Sequence, residues 1–209
     1  MPVPPYRVGI LGATSLRGKE LAGALRERSF PALPPRLFAP SAGAEADTAP
    51  ERGLVAFDDE PALLETFSPE ALAHLDVLFL AGAPDEAGRA WAAAATPRGT
   101  RAAGALGPAP ANATLIVDLT STLESEPGAT LAGLEPAPPS NRSRLVVVAH
   151  PAAQALALLL ELLAAAGTLQ LATATVFEPA SERDLPGLQE LEQQTLRLLA
   201  VQPLPQAVF

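Results

Sequence analysis

The 209-residue chain predicts an α/β fold built on a doubly wound, mostly parallel sheet, followed by the start of a truncated α+β domain. Three observations carry that expectation. Short apolar runs alternate with stretches of helical periodicity, the pattern of βαβ units. A glycine-bearing turn joins the first run to the first helical stretch. The hydrophobic fraction of 48% against 18% charged suffices for a large core, built mainly from Ala, Leu and Val because aromatics make up only 4%.

Taken in order, Tyr6–Leu11 is a short buried strand, and Gly12–Gly18 turns into a helix reaching about Arg28, with Leu16, Leu21 and Leu25 near helical spacing. Phe30-Pro31 stops it, and Pro35–Ala39 reads as the second strand. Ser41–Arg52 is loop by its Gly, Asp, Thr and Pro content, and Gly53–Phe57 is a weak strand. Ser68-Pro69-Glu70 starts a short helix that ends near His74. Asp76–Ala81 is the clearest central strand, and the turn Gly82-Ala83-Pro84 leads to a helix over Glu86–Ala95.

Leu115–Leu119 and Leu145–Val148 are further buried strands, separated by Pro-, Asn- and Ser-rich connections at Ala109–Ala113 and Glu135–Ser143. Gln154–Ala166 is an apolar helix capped by Gly167. Thr168–Glu178 is expected as a long, more polar strand, and Leu188–Leu199 as an amphipathic helix. The strand-like start at Gln206–Phe209 has nothing to pair with, which suggests a second domain cut short.

Composition excludes several functions. A net charge of −9, with Lys19 as the only lysine, argues against nucleic-acid binding, which depends on neutralising phosphates. With no cysteine there are no disulfides, thiolate metal sites or cysteine nucleophiles, and no metal site is expected. MPVPPYRVGILG lacks the basic and long apolar regions of a signal peptide. The run Ala155–Leu160 is broken by Glu161, too short to span a bilayer, so a soluble cytoplasmic protein without membrane contact is expected.

The segment VGILGATSLRGKEL sets Gly12 and Gly18 between a buried strand and a helix. In a Rossmann-like fold such glycines let the backbone approach a pyrophosphate, and the helix start supplies N–H donors. A plain tight turn is the alternative. Ala39-Pro40-Ser41 offers no acid at the end of the second strand, where a ribose-binding carboxylate would sit. Asp118 and Ser121 end a central strand, where α/β folds place ligands.

A series of motifs now resembles the aspartate-semialdehyde dehydrogenase family. GATSLRG (Gly12–Gly18) resembles its GATGxVG loop, and ALRERSFP its ERxFP. Ser41-Ala42-Gly43 resembles the SAG after the second strand, and DVLFLAGAPDEAGRAW (Asp76–Trp91) resembles DxxxFSAG…W. VDLTS (Val117–Ser121) resembles VIDNSS, and LEQQT (Leu191–Thr195) the ELxxQT helix. The cofactor-domain motifs next resemble the N-acetylglutamyl-phosphate reductases, but ERSFP and LEQQT favour the semialdehyde dehydrogenases. The resemblance implies an NADP-dependent Rossmann-like domain over 1–148 and a partial dimerisation and catalytic-type domain over 149–209. It also implies a thioester mechanism in which a cysteine attacks the aldehyde, hydride passes to NADP, and phosphate releases the aspartyl phosphate.

The same resemblance empties the catalytic site. The cysteine of the family's ANPNCS elbow falls on Ala153 in AHPAAQ, and the substrate-orienting glutamine falls on Glu178. The two glycines that follow become Glu182 and Arg183. The asparagine of VIDNSS falls on Leu119, and the phosphate-binding arginine on or near Glu124, an anion where a cation is needed. The catalytic histidine would lie beyond Phe209. His150 is read as an imidazole bonded to backbone, His74 as a helix end, and Ser181 as a serine with no base beside it in sequence. Glu178 with Glu182 is read as a solvated polar strand end, not a catalytic pair.

The implied cofactor contacts are Gly12, Thr14, Ser15, Leu16, Arg17, Ser41, Ala81, Gly82 and Ser121. Ser15 for the middle glycine and Pro40 for the basic residue before SAG weaken NAD or NADP binding. VFEPASER (Val176–Arg183) resembles the Usg-type relatives that lack the cysteine. A silent, NAD(P)-binding homologue is therefore expected, as a homodimer or with a separate chain supplying the C-terminal half. An active dehydrogenase with displaced residues, or a purely structural module, are the alternatives.

Overall fold

A computed structural model describes residues 5–39, 52–57, 60–95, 114–133 and 144–204. The chain divides into two compact units, Met1–Gln170 and Leu171–Phe209. The first holds an eight-stranded sheet. In chain order its elements are β1 (Val8–Leu11), α1 (Leu16–Glu27), β2 (Arg36–Ala39), β3 (Arg52–Phe57) and β4 (Glu60–Thr66). A 3-10 helix over Pro69–His74, β5 (Val77–Leu80), α2 (Pro84–Ala95), β6 (Leu115–Asp118), β7 (Ala129–Leu131), β8 (Leu145–Val147) and α3 (Pro151–Ala166) follow.

The strand order is β3-β4-β2-β1-β5-β6-β8-β7. Every pairing is parallel except the β3–β4 hairpin. The order reverses between β1 and β5, the switch point at which doubly wound sheets bind ligands. This is the mostly parallel, Rossmann-like α/β sheet expected from the sequence.

Side chains alternate along the strands and divide the core in two. Val8, Ile10, Leu37, Ala39 and Leu64 face the side on which Leu21 and Leu25 of α1 pack. Leu11, Phe38, Leu78, Leu80, Ile116, Leu145 and Val147 face Leu72 and Leu75 near the 3-10 helix and Ala87 and Ala90 of α2. Gly9 belongs to this arrangement: a Cβ there would come within 2.7 Å of Leu75 and 2.9 Å of Phe38.

Two strands escape the sequence reading. EPALLET in β4 has helix-forming composition, yet it pairs antiparallel with β3 and parallel with β2. Pairing on both sides overrides local propensity. Pro61 is accommodated because β2 pairs only with residues 64–66. β7 is three residues long and pairs with β8 alone.

The expected strand Thr168–Glu178 is not formed: residues 168–179 carry no regular secondary structure and are exposed throughout. An extended segment becomes a strand only when a neighbour takes its N–H and C=O groups, and no described strand pairs with it. Gly167 does occupy the C-cap of α3, but with φ 177, an extended backbone open to any residue. Helix α3 starts at Pro151, three residues earlier than its periodicity suggests.

The second unit contains a 3-10 helix, Ala180–Arg183, and α4 (Asp184–Leu199). Gly187 lets the two elements meet, since a Cβ there would lie 2.1 Å from the Ala180 carbonyl oxygen. Thus α4 begins four residues before the expected Leu188.

Candidate functional site

The glycine turn lies at the carboxyl end of β1, beside the end of β5. Gly12 has φ +79, and a Cβ on it would lie 2.3 Å from the backbone of Gly82. Both its conformation and its neighbour demand glycine. Gly18 sits under the turn, where a Cβ would meet the Gly12 carbonyl oxygen at 2.4 Å. Ala81 closes the same corner through its N–H, which donates to the Leu11 carbonyl at 2.9 Å.

Ser15 is the N-cap of α1. Its Oγ accepts the Gly18 N–H at 2.9 Å and donates to the Ala81 carbonyl at 2.7 Å. Its one proton is therefore committed within the fold. Thr14 is exposed at the crown of the turn, while Leu16 and Arg17 open the helix half-exposed. A glycine turn leading into the start of a 12-residue helix is the geometry that could hold a dinucleotide's pyrophosphate, and Gly12, Thr14, Leu16 and Arg17 are the residues that would hold it. Ser41 lies outside the described residues.

The second part of the crevice is the loop after β6. Asp118 is fully buried. Its Oδ1 accepts the Thr120 N–H at 2.7 Å and the Thr120 hydroxyl at 2.6 Å, while Oδ2 accepts the Leu123 N–H at 2.9 Å. This wraps the loop around the carboxylate and holds Ser121 in the left-handed region at φ 58. Ser121 Oγ donates to the Val148 carbonyl at 2.8 Å, tying the β6 loop to the chain that leaves β8. Ser121 thus performs for β6 and β8 what Ser15 performs for β1 and β5.

That chain is the elbow. Ala149 is buried, and His150 is the N-cap of α3, its Nδ1 accepting the Ala152 N–H at 3.3 Å. Pro151 occupies the first helical position, and Gln154 Nε2 donates to the Ala132 carbonyl at 3.1 Å. Ala153 is exposed in the first turn of the helix. A strand-to-helix elbow is present, with a methyl group at the position that the family resemblance assigns to the nucleophile.

The remaining sequence-derived positions scatter. Leu119 is half-buried against the α1-side core and Glu124 is exposed. His74 ends the 3-10 helix, exposed. Glu178, Ser181, Glu182 and Arg183 belong to the second unit: Glu178 is exposed outside regular structure, and the other three lie in its 3-10 helix. Among the described residues no three His, Cys, Asp or Glu side chains cluster to hold a metal, and no helix is long and apolar enough to cross a membrane.

Sequence reading missed Glu86. Three residues into α2, its Oε2 accepts the Ala83 N–H at 3.2 Å and covers Gly82. Burial against the sheet raises its pKa above the ordinary 4.5. The signal was an acid three residues after the residue preceding the helix, half of a capping box, but without the Ser or Thr that completes it.

Residues 7–135 match the family described as Semialdehyde dehydrogenase, NAD binding domain. No curated protein matches the sequence. Among solved structures, the chain is similar to aspartate semialdehyde dehydrogenase II from Vibrio cholerae complexed with ASA, at TM-score 0.67 and 17% identity over 99% of this chain and 56% of that one. It is also similar to a probable aspartate-semialdehyde dehydrogenase from Pseudomonas aeruginosa, at TM-score 0.61 and 24% identity over 98% and 56%. Aspartate Semialdehyde Dehydrogenase from Francisella tularensis gives TM-score 0.64 and 16% identity over 97% and 52%. These likenesses show the fold, and the chain spans little more than half the length of each of these proteins.

Proposed function

The chain belongs to the semialdehyde dehydrogenase family through its NAD-binding domain, and from that premise we propose that it is a catalytically silent member that keeps a dinucleotide crevice. The observation that carries this reading is Ala153: the elbow retains its strand, its Pro151 turn and its helix, and the residue there is an exposed methyl. Nothing in a chain without cysteine replaces a thiolate at that place. Leu119, Glu124 and Glu178 depart from the resemblance at the partner positions as well, so the loss is concerted.

The nucleotide reading rests on the family's NAD-binding domain and on Gly12 and Gly82 in contact at the switch point, where α1 starts. A bound nicotinamide ring would supply hydride chemistry, and without a nucleophile the protein would hold the nucleotide and not turn over. Given aspartate semialdehyde, phosphate and NADP, the purified protein should form no NADPH; sustained turnover would overturn the silent reading. A nucleotide at a hundred times its dissociation constant should stabilise the fold by about 2.7 kcal/mol. No thermal shift with NAD or NADP would instead favour a purely structural role.

A homodimer is the proposed assembly, supported by Leu158, Leu159, Leu162 and Leu163 of α3, all at least 47% exposed. The experiment is size-exclusion chromatography with light scattering on the wild type and Leu162→Lys. A dimer that dissociates in the variant supports the assembly; a monomeric wild type overturns it.

A further inference from the structure

A cavity of about 100 Å³ opens on the α2 side of the sheet, at the carboxyl ends of β1 and β4. Leu11, Phe67, Pro69 and Ala90 give it apolar walls, and among the described residues Glu86 and Arg89 are the charged ones that line it. The position is beside the β1–β5 switch point, and Gly82, which touches Gly12, is covered by the Glu86 carboxylate. Arg89 does not offer its charge freely, because Asp85 holds its guanidinium at 2.7 Å. Among the described residues, Asp85, Glu86 and Arg89 place two carboxylates and one guanidinium on this first stretch of α2.

Doubly wound nucleotide sites meet a ribose with a carboxylate and a 2′-phosphate with an arginine. The usual place for that carboxylate, the end of the second strand, reads Ala39-Pro40-Ser41 here. Glu86 brings a carboxylate to the same crevice from a different element, the first turn of α2. We infer that Glu86 is a specificity-determining residue of the crevice, favouring a dinucleotide with a free ribose hydroxyl, NAD, over its 2′-phosphorylated form, NADP. A carboxylate accepts the proton of a ribose hydroxyl, whereas against a phosphate it sets anion on anion in a partly desolvated place. This inference rests on the dinucleotide reading above.

Capping alone would explain a Glu at this position equally well, and it supplies the control. Glutamine caps a helix in the same way without the charge, so Glu86→Gln removes only the electrostatic element. The experiment measures NAD and NADP binding to the wild type, Glu86→Gln and Glu86→Asp by calorimetry. Quenching of Trp91, the only tryptophan and itself on α2, gives a second readout.

The wild type should bind NAD more tightly than NADP. Glu86→Gln should narrow the ratio by about fivefold, chiefly by tightening NADP, while Glu86→Asp keeps the preference. A wild type that prefers NADP, or a ratio unchanged in Glu86→Gln, overturns the inference and leaves the dinucleotide reading standing. No heat and no Trp91 response to either nucleotide overturns the dinucleotide reading, and the inference with it.

Discussion

Ser15 Oγ donates to the Ala81 carbonyl at 2.7 Å, across 66 residues of sequence, while accepting the N–H of Gly18 at 2.9 Å. One hydroxyl therefore caps α1 and fastens the first βα turn to the end of β5. Ser15→Ala removes both bonds and should cost about 2 kcal/mol, read as a lower urea midpoint with an unchanged m-value. A loss of a few tenths of a kcal/mol would mean that water replaces both bonds.

Asp118 organises the β6 loop from a fully buried position. Asp118→Ala leaves the amides of Thr120 and Leu123 without their acceptor, and should destabilise by about 3 kcal/mol. Hydrogen exchange should then show these two amides opening faster than the sheet. Uniform loss of protection across the first unit would argue against a local role.

Ala153→Cys would place the chain's one thiol in the first turn of α3. The partial positive charge of the helix start should lower its pKa below the usual value of about 8.5, which the pH profile of alkylation by iodoacetamide reports. Semialdehyde turnover should stay absent, because Leu119, Glu124 and Glu178 remain. Recovery of dehydrogenase activity from this single change would refute a concerted loss.

Arg7 hydrogen bonds hold the Asp76 carboxyl below its ordinary value of 3.8. A depressed folded pKa gives stability that is present above the unfolded value and lost as pH falls through the folded one. The thermal midpoint should thus drop on acidification below about pH 4, less steeply in Asp76→Asn. The gain is small, since the side chains are 48% and 36% exposed and solvent screens the pair.

Glu86 carries the opposite sign. Desolvation raises its folded pKa above 4.5, so the fold favours the protonated form and bears the cost of the charged one as pH rises through that raised value. The thermal midpoint of Glu86→Gln minus that of the wild type should therefore increase from acidic to neutral pH. A difference independent of pH would show that the carboxylate is solvated.

Much of the first unit was legible in sequence because its central strands read as short, nearly continuous apolar runs. VGIL, VLFL and LIVD need no tertiary knowledge to be recognised, and Gly12 and Gly18 mark the turn by residue type alone. EPALLET was not legible, because Ala, Leu and Glu favour helix until strands on both sides supply pairing. The expected strand at 168–178 fails for the converse reason: its composition permits a strand, but it finds no described partner. Glu86 was passed over because a helical acid is usually solvated, and only the contact with Gly82 distinguishes it.

By itself the sequence determined the α/β class, the place of the glycine turn, and an alanine at position 153 of the strand-to-helix elbow, since these depend on residue type and local order. Only the tertiary structure decided that the hydroxyls of Ser15 and Ser121 are spent on fastening strand ends, and that a carboxylate from α2 stands at the switch point. Those outcomes depend on which backbone groups meet after folding. The partners of Ser15 and Ser121, Ala81 and Val148, lie 66 and 27 residues away along the chain, beyond the reach of any local pattern.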